Sequence, residues 1–127
     1  MSDQIKHECG IALVRLLKPL SYYKEKYGTA FYGVNKLYLL MEKQHNRGQD
    51  GAGVANIKLD VEPGNRYISR HRSNANQPIA EVFNKINTRF ADAAKEFPNE
   101  IQDPEWLKAN LPFTGELFLG HLRYGTY

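Results

Sequence analysis

Hydrophobic and polar positions divide the chain into short strand and helix patterns. Ile11-Ala12-Leu13-Val14 opens an apolar run and predicts a buried strand over 11–17, interrupted by Arg15. Lys18-Pro19 ends it, because proline has no N–H to give to a ladder. Residues 18–29 are rich in tyrosine and lysine and read as a connection: a lid, an interface loop or a solvated excursion. Thr29 suits a helix N-cap, and Val34, Leu37, Tyr38 and Met41 fall at i, i+3, i+4 and i+7. A helix is predicted from about 30 to 45, weakened at Gly33 by about 1 kcal/mol relative to alanine. Residues 46–53 place glycine at 48, 51 and 53, which predicts a tight backbone path rather than an element.

The second half is more regular. Ala55, Ile57 and Leu59 alternate with Asn56, Lys58 and Asp60, the pattern of a strand with one covered face. Glu62-Pro63-Gly64-Asn65 is a turn by composition, and Tyr67-Ile68-Ser69-Arg70 the returning strand of a hairpin. Pro78 starts the best helix, with a broad apolar stripe from Ile79, Val82, Phe83, Ile86, Phe90, Ala93, Ala94 and Phe97 before Pro98 stops it. Residues 99–114 read as irregular, with a short turn around Trp106. A last strand over 116–122 delivers Arg123 and Tyr124 to its far end. Antiparallel hairpins covered by helices predict an α+β fold rather than a doubly wound parallel sheet.

Composition narrows the setting. A chain of 127 residues is enough for one domain with a core. Hydrophobic residues at 42% and charged residues at 24% are ordinary globular usage and argue against disorder. The net charge of +3 is too small to imply nucleic acid; the basic stretch Arg66, Arg70, His71 and Arg72 has the chemistry to bind phosphate or RNA, but the favoured reading is a solvated strand edge. A single cysteine excludes an intrachain disulfide framework and a multi-cysteine metal site. No stretch is apolar and long enough for a membrane span, and residues 1–8 have no apolar core like that of a secretory signal. A reducing cytoplasm is the expectation.

The lone cysteine, Cys9, stands at the start of the first strand. Two readings follow from its position. It is a small buried core residue. Or, with residues 1–8 removed, it carries a nucleophilic sulfur beside a free α-amine, and that amine serves as general base without any histidine. Two other segments bear on the choice: Arg47-Gly48-Gln49-Asp50-Gly51-Ala52-Gly53 after the first long helix, and Gly120-His121-Leu122-Arg123-Tyr124-Gly125-Thr126 in the last strand.

With Cys9-Gly10-Ile11, these segments make the chain similar to the N-terminal glutaminase domain of class II glutamine amidotransferases, which use an N-terminal cysteine nucleophile. Among these it most resembles the amidophosphoribosyltransferases. Asn46 stands as an insertion between the family's usual His (here His45) and Arg47. The resemblance implies a sandwich of two antiparallel sheets between helix layers, the αββα arrangement of N-terminal-nucleophile hydrolases. It implies that Cys9 attacks the glutamine side-chain amide, that Arg123 binds the α-carboxylate and that Thr126 contacts substrate. Arg47, Gly48, Asp50 and Tyr124 are supporting residues, Arg47 as a positive charge near the thiolate. His121 receives no catalytic role.

The reaction implied is release of ammonia from glutamine for phosphoribosylamine formation in purine synthesis. Residues 1–8 would be a propeptide. The family's oxyanion-hole Asn-Gly pair, the carboxylate for the substrate amino group and the phosphoribosyltransferase domain with its magnesium would lie beyond Tyr127. The chain is therefore expected to be an inactive N-terminal piece, without a cofactor of its own, from a homo-oligomeric enzyme that contacts neither nucleic acid nor membrane. Related domains serve glucosamine-6-phosphate and asparagine synthases, but Gln49 after Arg47-Gly48 favours the purine enzymes. The alternative from another class is a non-catalytic binding or assembly domain of the same fold.

Overall fold

A computed structural model of the chain describes residues 9–44 and 49–124, with backbone alone at Cys9, Gln49 and Tyr124. In chain order the elements are β1 (Cys9–Arg15), α1 (Leu20–Tyr27), α2 (Tyr32–Lys43), β2 (Gln49–Ile57), β3 (Ile68–Ser73), α3 (Pro78–Glu96), a 3-10 turn (Glu100–Gln102), α4 (Pro104–Asn110) and β4 (Leu117–Tyr124). The four strands form one sheet in the order β1-β4-β2-β3, and every neighbouring pair is antiparallel. The last strand is thus an interior one, and the basic strand β3 is an edge. The fold is α+β.

Helices α2 and α3 cover one face of this sheet. Val34, Leu37 and Met41 of α2 and Ile79, Val82, Phe83, Ile86, Phe90 and Ala93 of α3 bury against Ala12, Val54, Phe118 and Leu122 of the strands. The i, i+3, i+4 stripes of both helices are therefore core stripes. Ala94 and Phe97, read with the α3 stripe, and Tyr38, read with the α2 stripe, are exposed instead. Thr29 does not sit at the N-cap of α2, which is Phe31. Its Oγ1 accepts from the Phe31 N–H at 3.0 Å and ties down the preceding turn.

Several expectations are corrected. The first strand is buried on one side only: Ile11 is 71% and Leu13 59% exposed, because among the described residues no helix covers the second face of the sheet. The tyrosine-rich connection is a helix, α1, which ends at Gly28 in the left-handed region with φ 83°. Stacking of Tyr27 and Tyr23 on Tyr32, at 4.3 and 5.1 Å between ring centroids, fastens α1 to the start of α2. The stretch around Trp106 is also a helix, with Asp103 Oδ1 accepting from the Glu105 N–H at 3.0 Å and Pro104 at its first position. The strand β2 runs through Gly51 and Gly53, which the glycine pattern alone assigns to a non-element. The tight path expected at 46–48 lies outside the described residues.

The alternation over 55–60 reads in the opposite sense from its hydropathy. Asn56 is 0% and Lys58 8% exposed, on the helix-covered side, while Ala55 and Ile57 lie on the other; the strand stops at Ile57, and Leu59 and Asp60 lie in the bend after it. Partners make this burial tolerable. Asn56 Nδ2 donates to the Leu117 carbonyl at 3.0 Å, and its Oδ1 accepts from the Gly115 N–H at 2.7 Å. Glu116 accepts from the Leu59 N–H at 2.9 Å and pairs with Lys108 at 2.7 Å. Burial, then the charge of Lys108, lowers the Lys58 pKa below its ordinary 10.5, against the attraction of Glu116.

Replacing Asn56 by alanine removes the side-chain acceptor of the buried Gly115 N–H and the side-chain donor to the Leu117 carbonyl. It is expected to cost about 1–3 kcal/mol in urea unfolding. Gly33 tests packing against propensity. A Cβ there would meet the buried Phe118 ring at 2.2 Å. Gly33→Ala is therefore expected to destabilise by about 1–3 kcal/mol, although helix propensity alone would give a gain. An increase in the urea midpoint of this variant would contradict the packing.

Candidate functional site

Strand register brings the distant motif segments to one end of the sheet. Cys9, at the start of β1, lies opposite Arg123, near the end of β4. Arg123 also lies opposite Gly51 of β2, and Gln49 lies opposite Tyr124. Between these last two pairs the register shifts, leaving Asp50 as an extra residue on β2. Such a bulge turns the strand locally and re-aims what it carries. Asp50 is exposed there. Residues 9, 51 and 123 are thus lateral neighbours on adjacent strands, about 4.8 Å apart from one strand to the next, although over a hundred positions separate the first from the last.

The uncovered face is ordered in rows across the strands. One row runs Ile11, His121, Gly53, Arg72, and the next Leu13, Leu119, Ala55, Arg70. Arg72, His121 and Arg123 are exposed on this face. With Asp50, Gly51 and Gly53 they line a groove of about 530 Å³ at the motif end. A second hollow of about 600 Å³ adjoins it over Ile11, Ala55 and Leu119. One end of the face is cationic around glycine backbone, and its middle is apolar.

Of the residues singled out from sequence, Cys9, Asp50, Arg123 and Tyr124 converge on this end, Cys9 and Tyr124 as backbone positions. Arg47, Gly48 and Thr126 lie outside the described residues, as does the segment 1–8. Sequence reading names Arg72 and Gly53 but gives neither a place in the site. Arg72 reads as part of a solvated edge, and only the pairing of β3 on β2 brings it across from Gly53 and His121. The alternation of β3 is the signal available: Ile68, Arg70 and Arg72 share one side.

His71 takes the other side of β3 and stacks on Phe113, at 5.2 Å between ring centroids. Phe113 is itself buried, with φ 61°, a conformation that bulky side chains rarely adopt. Among the described residues no group of three or more His, Cys, Asp and Glu is arranged to hold a metal ion, and no helix is long and apolar enough to cross a membrane. No family model, curated protein or solved structure matches this chain significantly.

Burial first, and the nearby Lys85 charge second, hold the His71 pKa below its ordinary 6.5. The unfolded chain then binds the proton more readily than the folded one. Stability present above pH 6.5 is lost as pH falls through the interval below it, down to the folded pKa. His71→Phe keeps the ring stack and removes the titration. Its stability relative to the parent chain is expected to improve as pH falls through that interval, as followed by urea unfolding. A pH-independent difference would exclude this linkage.

Proposed function

We propose that the chain is a glutaminase domain of the class II glutamine amidotransferase type, with Cys9 as nucleophile. One observation carries this reading: antiparallel register makes Cys9 and Gly51 the two lateral neighbours of Arg123. Three segments with the family's motif pattern, far apart in sequence, meet at one end of one sheet. A motif resemblance arising by chance would have no reason to converge.

The chemistry runs from these positions. With a free α-amine at residue 9, that amine takes the thiol proton, and the sulfur attacks the carboxamide carbon of glutamine. The tetrahedral adduct collapses with loss of ammonia and leaves a thioester on Cys9. Water attacks the thioester, glutamate leaves and the thiol is regenerated. Arg123 forks onto the substrate α-carboxylate with two parallel hydrogen bonds, a geometry lysine cannot reproduce. Nearby guanidinium charge, including that of Arg47 in this reading, favours the attacking thiolate.

The uncovered sheet face supports the layered architecture that goes with this activity. Its central apolar residues, Ile11, Leu13 and Leu119, provide a surface on which the second sheet of an αββα sandwich packs, about 10 Å away. Gln49, following Arg47-Gly48, favours delivery of the ammonia to phosphoribosyl pyrophosphate, bound by a partner domain with magnesium.

The test is intact mass of this chain and of the protein carrying it, before and after incubation with a glutamine-like alkylating analogue. Loss of residues 1–8 and one adduct on Cys9, absent in Cys9→Ser, is expected for the protein. A retained segment and an unlabelled thiol in both samples would return Cys9 to a structural role. In the unlabelled protein carrying this chain, Arg123→Lys is expected to raise KM for glutamine about 10- to 100-fold, the loss of one charge-assisted hydrogen bond.

A further inference from the structure

The groove at the motif end holds more positive charge than the proposed reaction assigns to it. His121 and Arg72 stand on the two strands flanking β2, both in register with Gly53. Arg123 stands two residues along β4 from His121, in register with Gly51. Neither glycine has a side chain, so Arg72, His121 and Arg123 flank a trough whose floor is backbone. The trough is not a packing requirement at position 53. A Cβ there would make only ordinary contacts, 3.7 Å to Arg72 Cβ and 3.8 Å to the His71 carbonyl.

Among the described residues, Asp50 is the one carboxylate lining the groove, against two guanidiniums and an imidazole. Among the described residues, no hydrogen bond or ion pair engages the Arg72 or Arg123 guanidinium. Arg72 and Arg123 are separated by two strand spacings and two residues along the strand, or about 12 Å between Cα atoms. That distance is within the combined reach of two extended arginine side chains. An anion above Gly51 and Gly53 is where both can meet.

We propose that this glycine-floored trough binds a small oxyanion, and that Arg72, from the edge strand, is a second guanidinium for the substrate α-carboxylate alongside Arg123. The identity of the anion as that carboxylate rests on the glutaminase reading; the oxyanion site does not. Fork-shaped arginines from opposite sides hold a carboxylate or a phosphate by the same charge-assisted hydrogen bonds. Two such residues make a free α-carboxylate a condition of binding. Glutamine with its α-carboxylate amidated is then excluded, which sets the specificity of the site.

The test is titration of the isotope-labelled 127-residue chain, followed at the Gly51 and Gly53 amides by NMR, with L-glutamine, its α-amide and inorganic phosphate as separate probes. L-glutamine is expected to shift both amides saturably and the α-amide to leave them unmoved. Arg72→Gln weakens glutamine binding about 10- to 100-fold. Gly53→Val fills the trough and abolishes the shifts. Arg15→Gln, at the other end of the same face, binds as the parent does. Equal glutamine affinity in the parent and Arg72→Gln overturns the role of Arg72, and failure of every probe overturns the trough as a site. Phosphate binding without glutamine binding overturns the carboxylate assignment and keeps the oxyanion site. None of these readings involves the thiol, so a failure of Cys9 labelling is scored separately. Conversely, labelling of Cys9 with an unchanged KM in Arg72→Gln would overturn this inference and leave the glutaminase reading intact.

Discussion

β4 is paired along both of its edges, and that double pairing organises the molecule. As the last described strand it enters between the first strand and the central hairpin, so the sheet closes only when the end of the chain meets its beginning. Contacts of such long sequence separation carry a loop-closure cost that local contacts do not. What they provide is register. Because side chains alternate faces with period 2, pairing β4 by one residue differently would move Phe118 and Leu122 out of the core and turn Arg123 toward the helices. Core and candidate site are set by the same ladder.

The two faces of this sheet meet different physical demands. On the helix side, α2 and α3 fill the space with branched and aromatic residues, closely enough that Gly33 has to lack a side chain beneath Phe118. Near the end of β2 and the start of β4, buried polar groups each find a partner: Asn56 with the Gly115 and Leu117 backbone, Thr114 with the Leu107 and Leu111 carbonyls, and Glu116 with Lys108. Leaving any one partner out would expose the others to the full desolvation penalty. On the other side, apolar residues in the middle of the face stay in contact with solvent, and the cationic end surrounds glycine backbone. A site needing close approach of substrate to backbone is compatible with this second face and not with the first.

Part of this was legible in the chain. Helices α2 and α3 repeat at 3.6 residues over many turns, and the strand with the Gly-His-Leu-Arg-Tyr segment has a clear run of β-forming residues. The Pro63-Gly64 turn was readable because few residues other than glycine adopt its φ of 91°. The short helices α1 and α4 were not legible. Their helicity comes from tyrosine stacking and from Asp103 and Gly28 at their ends, with too few turns for a periodic stripe to stand out. Strand β2 was hidden because glycines and a bulge replace the alternating side chains that announce a strand.

Sequence by itself determined the α+β class, the long helices and the hairpin turn, since propensity and periodicity are local properties. Only the tertiary structure decided which face of β2 is covered, reversing the hydropathy of Asn56 and Lys58. It likewise decided that Cys9, Gly51 and Arg123 are neighbours, and that Arg72 faces the same trough as His121 and Arg123. Those outcomes depend on strand order and register, which are fixed by the packing of the whole sheet against its helices and not by any one segment.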